Sequence, residues 1–309
     1  MSPQKLTSTA YNLITENVRA KVEQSLKSLD SLKLGDSRSV YHYTTAMGLK
    51  GIIETNSLWA TRANYLNDKE EILHGINENN RVLEEILLET RISVEYKDFV
   101  GKMKLPKQSN SADWTYLICF TTKGDQLSQW RGYGSNAIGY SIEFDAEELK
   151  EYFISTQKST ALILNIFDSV VYTQASKTRL IKTVIQEFYD ECIKQGESDT
   201  SIMASHCKSL LINYLNLLKN YSFREESEVR ASFSNIDFLD TANVFYRVQN
   251  GIFIPHLIVD NKDSKLPIKS IRVGPNSDFQ RIKKGIEIFI EKNGLNKIQV
   301  VDSKIPYRT

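Results

Sequence analysis

The sequence predicts an α+β protein built on a single mixed, largely antiparallel sheet with helical insertions. Three observations lead there. Strand patterns stand at both ends of the chain, with helical patterns between them. Regular strand–helix alternation is absent, which disfavours a doubly wound parallel sheet. Residues 137–144 alternate at period two: Ile138, Tyr140, Ile142 and Phe144 take one face, and Ala137, Gly139, Ser141 and Glu143 the other. A length of 309 residues suits one large domain or two modest ones. The pattern divides it into an N-terminal helix at 1–35 and one α+β domain at 36–309, with a helical insertion at about 175–220.

Each element follows from its own residues. Leu13, Ile14, Val18, Val22, Leu26 and Leu29 sit at helical spacing, and Gly35-Asp36 breaks the run. In SVYHYTT a short strand leads to Thr44-Thr45, either of which can cap a helix carrying Leu49, Ile52 and Ile53 and stopping near Asn56. LWAT is a second short strand. Asp68 and Glu71 have capping-box spacing ahead of a stripe formed by Ile72, Ile76, Leu83 and Leu87. Residues 91–112 are charged and read as an irregular surface excursion, while YLICFTT reads as a buried strand. A strand at 160–173 precedes two long helices, marked by Ile181, Val184, Ile185, Phe188 and Cys192, then by Leu210, Leu211, Tyr214 and Leu218. EVRASF, VFYRV, IFIPHLIV and IKSIRVGP read as strands. A last helix carries Phe279, Ile282, Ile286 and Phe289, and IQVVDS closes the sheet.

Composition narrows the function classes. A formal net charge of +1 supplies no long-range field toward nucleic acid or an anionic membrane, although a local basic groove is compatible with it. Cys119, Cys192 and Cys207 are odd in number and widely spaced, so they build neither a disulfide framework nor a zinc site. No continuous apolar leader and no run of about 18 apolar residues is seen, so a cytoplasmic protein without a membrane partner is expected. Few prolines and many Lys, Asn, Ile and Ser give the composition a bacterial character. There is no Walker loop and no dinucleotide-binding glycine fingerprint, and RGYG is too short for either.

Three places carry candidate chemistry. His42, between Tyr41 and Tyr43, is either a half-buried histidine bonded to backbone or a strand-end imidazole that positions a ligand. QLSQWRGYG joins an exposed-looking Trp130, Arg131 and a glycine pair. It is either a tight turn around a core tryptophan or a loop where Trp130 stacks on a base and Arg131 forks onto a phosphate. In EESEVR, a strand entered at Glu226 would put Glu226, Glu228 and Arg230 on one face and Val229, Ala231 and Phe233 on the other. That face is a solvated edge or a catalytic one. His74, His206 and His256 are scattered without metal-ligand spacing, so no metal is expected.

In order, these pieces resemble the bacterial domain of unknown function 2971 family. The resemblance rests on VYHYTTAMGLKGIIETNSLWATRANYLNDKEE, ICFTTKGDQLSQWRGYGSNAIGYSIEF and FREESEVRASF, with IRVGP and VDSKIPYR weaker, across roughly residues 38 to 308. That family name implies no activity. YHYTTAMGLKGIIETNSLWAT is also distantly similar to the opening of ADP-ribosyltransferase-type enzymes, in which a His-bearing strand, a helix and a second strand precede a loop with a catalytic Glu. The resemblance implies an ADP-ribosyltransferase-like core and NAD as substrate. It gives His42 a ribose or nicotinamide amide, Trp59 or Tyr65 the nicotinamide ring, and Glu228 the nicotinamide ribose. Glu226 would orient or deprotonate the acceptor, and Arg131 would neutralise the pyrophosphate. Tyr43, Thr44, Trp130 and Arg230 complete the cofactor-binding set. A carboxylate beside the ribose would stabilise an oxocarbenium-like transition state without a metal. Under this reading the protein is an NAD-consuming toxin or defence effector acting on a macromolecule or water. A nuclease using His42, Arg131, Glu226 and Arg230 is one alternative, and a non-catalytic nucleotide-sensing or partner-binding module is the other. The helical pair at about 175–220 and the unaligned second-strand aromatic depart from the ADP-ribosyltransferase pattern.

Overall fold

A computed structural model describes residues 6–27, 39–66, 71–106, 115–156, 162–235 and 243–307. In chain order the helices are α1 (Ser8–Lys27), α2 (Ala46–Thr55), α3 (Glu71–Leu88), α4 (Val94–Lys102), α5 (Leu127–Gly132), α6 (Ala146–Thr156), α7 (Gln174–Lys194), α8 (Thr200–Leu215) and α9 (Phe279–Lys292). The strands are β1 (Ser39–Thr44), β2 (Ser57–Arg62), β3 (Tyr116–Thr121), β4 (Tyr140–Asp145), β5 (Leu162–Ser169), β6 (Glu228–Asn235), β7 (Phe245–Gln249), β8 (Ile252–Asp260), β9 (Ile268–Val273) and β10 (Gln299–Asp302). The residues group into two compact units, one from 1–33, 67–113 and 170–223, the other from 34–66, 114–169 and 224–309. The Gly35-Asp36 break, the Asp68 capping position and residues 107–112 lie outside the described residues.

The first unit is helical. On α1 the buried stripe is Ile14, Val18 and Val22, whereas Leu13 faces solvent. This helix packs on α7, whose Ile181, Val184, Ile185, Phe188 and Cys192 are fully buried as their spacing requires. Thr173 and Asp199 cap α7 and α8 by accepting hydrogen bonds from Ser176 N and from Ser201 N and Ile202 N. The expected irregular excursion at 91–112 is corrected over its first half, because α4 is there. Ser93 caps it, Glu95 lies in its first turn, and Tyr96, Phe99 and Val100 form a short buried stripe that the surrounding charges mask in the sequence. On α3 the stripe runs through Ile76, Val82, Leu83 and Ile86, leaving Leu87 at the margin. No helix among the described residues is long and apolar enough to cross a membrane.

Among the described residues the second unit holds the sheet: ten strands, mixed and largely antiparallel, so the fold class is α+β. Its main path runs β10-β9-β4-β1-β3-β2-β8-β7, and among the described strands only β10 and β9 are parallel. Strand β6 pairs with β3 over Glu228–Phe233 and with β5 over Val229–Asn235 on its other side. One face carries the main core, where Val40, Ile118, Phe120, Ile142, Phe144, Val229, Ala231 and Phe233 meet Leu49, Ile52 and Ile53 of α2 and Leu149 and Phe153 of α6. Thr45, of the two candidate threonines, caps α2 by accepting from Gly48 N, and Asn56 ends it in the left-handed region.

Three local expectations are corrected. The alternating strand begins at Tyr140, not at 137. Ser135, Asn136 and Ala137 have positive φ, and Ile138 is 53% exposed instead of joining the core row. Helix α6 stands where no helix was expected. The Asp145 carboxylate accepts from Glu147 N and Glu148 N, and Leu149, Tyr152 and Phe153 are its buried stripe. Glu226 does not enter the strand. It ends a 3-10 turn, Tyr221–Glu226, and Ser227 at φ 46° separates that turn from β6.

Candidate functional site

Strand β3 has one edge fully paired with β6, so β1 and β2 must share the other. They do so at its two ends: Tyr41 is in register with Thr121, and Thr61 and Arg62 with Leu117 and Tyr116. No residue of β1 or β2 is in register with Ile118, Cys119 or Phe120, so the sheet splits there. His42 sits at the split. Its Nδ1 lies 3.0 Å from the Cys119 carbonyl oxygen and its ring meets the Phe120 ring edge-on. A carbonyl can only accept, so Nδ1 carries the proton and Nε2 keeps its lone pair. Burial lowers the His42 pKa below its usual range, and the Arg247 cation pushes the same way against the Cys119 carbonyl.

Arg247 comes from the β7–β8 hairpin. Asn250 and Gly251 form its two-residue turn, both at positive φ, which fixes Gln249 opposite Ile252 and hence Arg247 opposite Ile254 and Phe245 opposite His256. The Arg247 side chain reaches over β8 and donates from Nη1 to Thr61 Oγ1 at 2.9 Å. His256 is 2% exposed, and its Nδ1 is buried without a hydrogen-bond partner. Desolvation lowers its pKa as well, again seconded by Arg247 and opposed by the Ile254 carbonyl. The Trp59 ring stacks on His256 at 4.3 Å between centroids, yet Trp59 remains 46% exposed. One indole face is thus held by a histidine while the residue stays open to solvent, with a guanidinium anchored two residues along the same strand.

Other expected site residues fall elsewhere. Trp130 is fully buried, which corrects its exposed-looking character. Its Nε1 donates to Asp125 Oδ1 at 2.8 Å, its ring takes the edge of Tyr43, and a side chain at Gly134 would come within 2.7 Å of it. Tyr43 donates to the Lys123 carbonyl and accepts from Gln126 N, and burial pushes its phenol up to about 12. The WRGYG segment is therefore a packed turn around a core tryptophan, the first of its two readings. Arg131 lies over the Tyr307 ring at 5.0 Å. Thr44 ends β1 opposite Tyr140, and Tyr65 closes a one-turn helix beyond β2, where it is 40% exposed.

Glu228 and Arg230 do share a face, as strand alternation requires. Arg230 Nε donates to Glu228 Oε1 at 2.8 Å and Nη2 to Oε2 at 2.9 Å, with the residues 6% and 1% exposed. Asp168 of β5 is in register with Arg230. Glu226 accepts instead from the Tyr133 hydroxyl at 3.3 Å, off the strand. The row Tyr41, Thr121, Glu228 puts the backbones of β1 and β6 about 10 Å apart, on either side of β3. The side chains do not converge. His42 follows Tyr41 and so points to the core side with its neighbour Ile142, whereas Glu228 points to the other side, because Val229 is in the core. The structure does not bring His42 to the acidic pair: it lies on the other face of the sheet from Glu228, whereas the WRGYG turn is joined to Glu226 through the Tyr133 hydroxyl.

Arg247 and His256 were not singled out by the sequence reading as site residues. The signal was present: an Asn-Gly turn between alternating strands fixes the pairing that brings them to Thr61 and Trp59. Among the described residues, no three His, Cys, Asp or Glu side chains are grouped as metal ligands.

A family model described as a protein of unknown function (DUF2971) matches residues 129–231, from α5 into β6. Comparison with curated proteins and with solved structures finds no match. The family likeness thus covers a third of the chain, and the ADP-ribosyltransferase resemblance has only the order of the motifs behind it.

Proposed function

We propose that the chain binds a nucleotide at the split between β1 and β2. The observation that carries this reading is Trp59, propped on His256 beside the Arg247 guanidinium. An indole with one face held and the other side open is a stacking platform for a base, at about 1–3 kcal/mol per stacked base. Arg247 is placed to meet a phosphate in a partly desolvated setting where charge-assisted bonds are strong. This is the nucleotide-sensing reading rather than the hydrolytic or transfer one, because Glu228 is already engaged by Arg230.

The test is titration of the full chain with NAD, ADP-ribose, ATP and AMP, followed by tryptophan fluorescence and thermal shift. Quenching is expected with at least one nucleotide, lost in Trp59→Leu and weakened about tenfold or more in Arg247→Gln. Absence of quenching and of any thermal shift at millimolar nucleotide overturns the proposal.

ADP-ribosyl transfer from NAD is the second reading, favoured by the flanking of β3 by the His42 strand and the Glu228 strand. It requires Glu228 to leave Arg230 when NAD arrives. The nicotinamide–ribose C–N bond would break, the acceptor would bond to the ribose carbon, and the acceptor's proton would pass to Glu226. Nicotinamide release that Glu228→Gln abolishes, with the unfolding midpoint unchanged, decides for transfer. Binding without release decides for sensing.

A further inference from the structure

The β7–β8 hairpin leaves an unusual amount of apolar surface open. Phe245 is 46% exposed, Tyr246 and Val248 63% each, Ile252 56% and Phe253 67%. Among the described residues no strand pairs with the outer edge of β7. With Gln249 and Ile252 closing the two-residue turn, alternate residues on β7 bond to β8, so the N–H and C=O groups of Tyr246 and Val248 point out from the sheet. Such an edge is a template for another strand, and charged residues or proline normally blunt it. Neither stands at Tyr246 or Val248.

We propose that this edge is the interface of a homodimer, with β7 of one copy paired antiparallel to β7 of another about a twofold axis through Tyr246. The sequence of the edge argues for a second copy. Val244-Phe245-Tyr246-Arg247-Val248 is near-palindromic about Tyr246. Reversing it sets Val244 opposite Val248, Tyr246 opposite Tyr246, and Phe245 opposite Arg247. Apolar residues then meet on the face that carries Val244, Tyr246 and Val248. Moving the axis one residue to Arg247 would instead set Val244 opposite Asn250 of the turn and lose the Val244–Val248 pairs. The outward groups of Tyr246 and Val248 would meet their counterparts as hydrogen-bonded pairs. Area fits a weak dimer: with roughly 200 Å² for an aromatic side chain, the exposed fractions offer on the order of 500 Å² per copy, about 1,000 Å² in all. This inference is independent of nucleotide binding.

The test is sedimentation equilibrium of the full chain across concentrations up to about 100 μM, a range suited to an interface at the lower limit of specific association. The mass is expected to rise with concentration toward twice 35.4 kDa. Tyr246→Lys with Val248→Lys is expected to hold it at one chain with the unfolding midpoint unchanged, while Met47→Lys, at another exposed apolar position, leaves association intact. A single-chain mass throughout, or a dimer that survives the double lysine variant, overturns the proposal.

Discussion

Arg230 and Glu228 are held to each other by two charge-assisted bonds in a strand that is buried along its length. Such a pair contributes little net stability, yet breaking it strands a buried charge. Arg230→Met is therefore expected to destabilise the fold by about 3–5 kcal/mol. Adding Glu228→Gln recovers a large part of that loss in chemical denaturation, because the uncompensated carboxylate is gone. Equal losses in the single and double variants would show that Glu228 does not depend on Arg230. The two histidines near Arg247 make a separate prediction with a definite sign. Both have lowered pKa values in the folded state, so between about 6.5 and those values the unfolded chain binds more protons. Stability is complete above that window and falls as pH drops through it. His42→Gln with His256→Gln is expected to flatten the fall between pH 6.5 and 5, read from unfolding midpoints. Arg247→Gln is expected to raise both imidazole pKa values in an NMR titration.

At the scale of elements, legibility followed the strength of local patterning. Strands β3, β6 and β8, and helices α2, α7 and α9, were readable because their apolar spacing is dense and their caps or turns are explicit. Helix α4 was hidden because its buried stripe of three residues is set among charges, so hydropathy alone resembles a loop. The start of β4 misled for the opposite reason. Ala137, Gly139 and Ile138 continue the alternation of the strand, but Gly139 N bonds to the Gly134 carbonyl and Ala137 N to Trp130, which turns the backbone before the ladder begins. For the candidate site, single residues were legible and their convergence was not. His42, Trp59, Glu228 and Arg230 were all singled out, but face and register decide which of them meet. Those depend on β1 and β2 sharing one edge of β3, a fact of topology with no signature in any one segment. Glu226 shows how one residue can undo such a reading: the positive φ of Ser227 removes it from the strand face that simple alternation assigns it.

For the whole molecule, each unit is assembled from three separated stretches of chain, and 170–223 of the helical unit interrupts the otherwise adjacent β5 and β6. The sheet pairings are accordingly long-range, so the strands with a neighbour on both sides and cover on both faces should open only with global unfolding. Strand β6 meets that description over Val229–Phe233, which lie between β3 and β5, and all eight of its residues are buried. Strand β7 is its opposite, an edge whose residues are exposed or half-exposed and whose outward amides lack a ladder partner among the described residues. Hydrogen exchange read by mass spectrometry is expected to leave Val229–Phe233 protected to the limit set by global stability. In dilute protein, Phe245–Gln249 is expected to exchange orders of magnitude sooner. If β7 of two copies pair, its outward amides at Tyr246 and Val248 slow as protein concentration rises, while those of Phe245 and Arg247, already bonded within the hairpin, change far less. Exchange in β6 as rapid as in β7 would mean that the shared neighbours of β3 do not form the most persistent part of the sheet, and that the split beside His42 has no rigid floor.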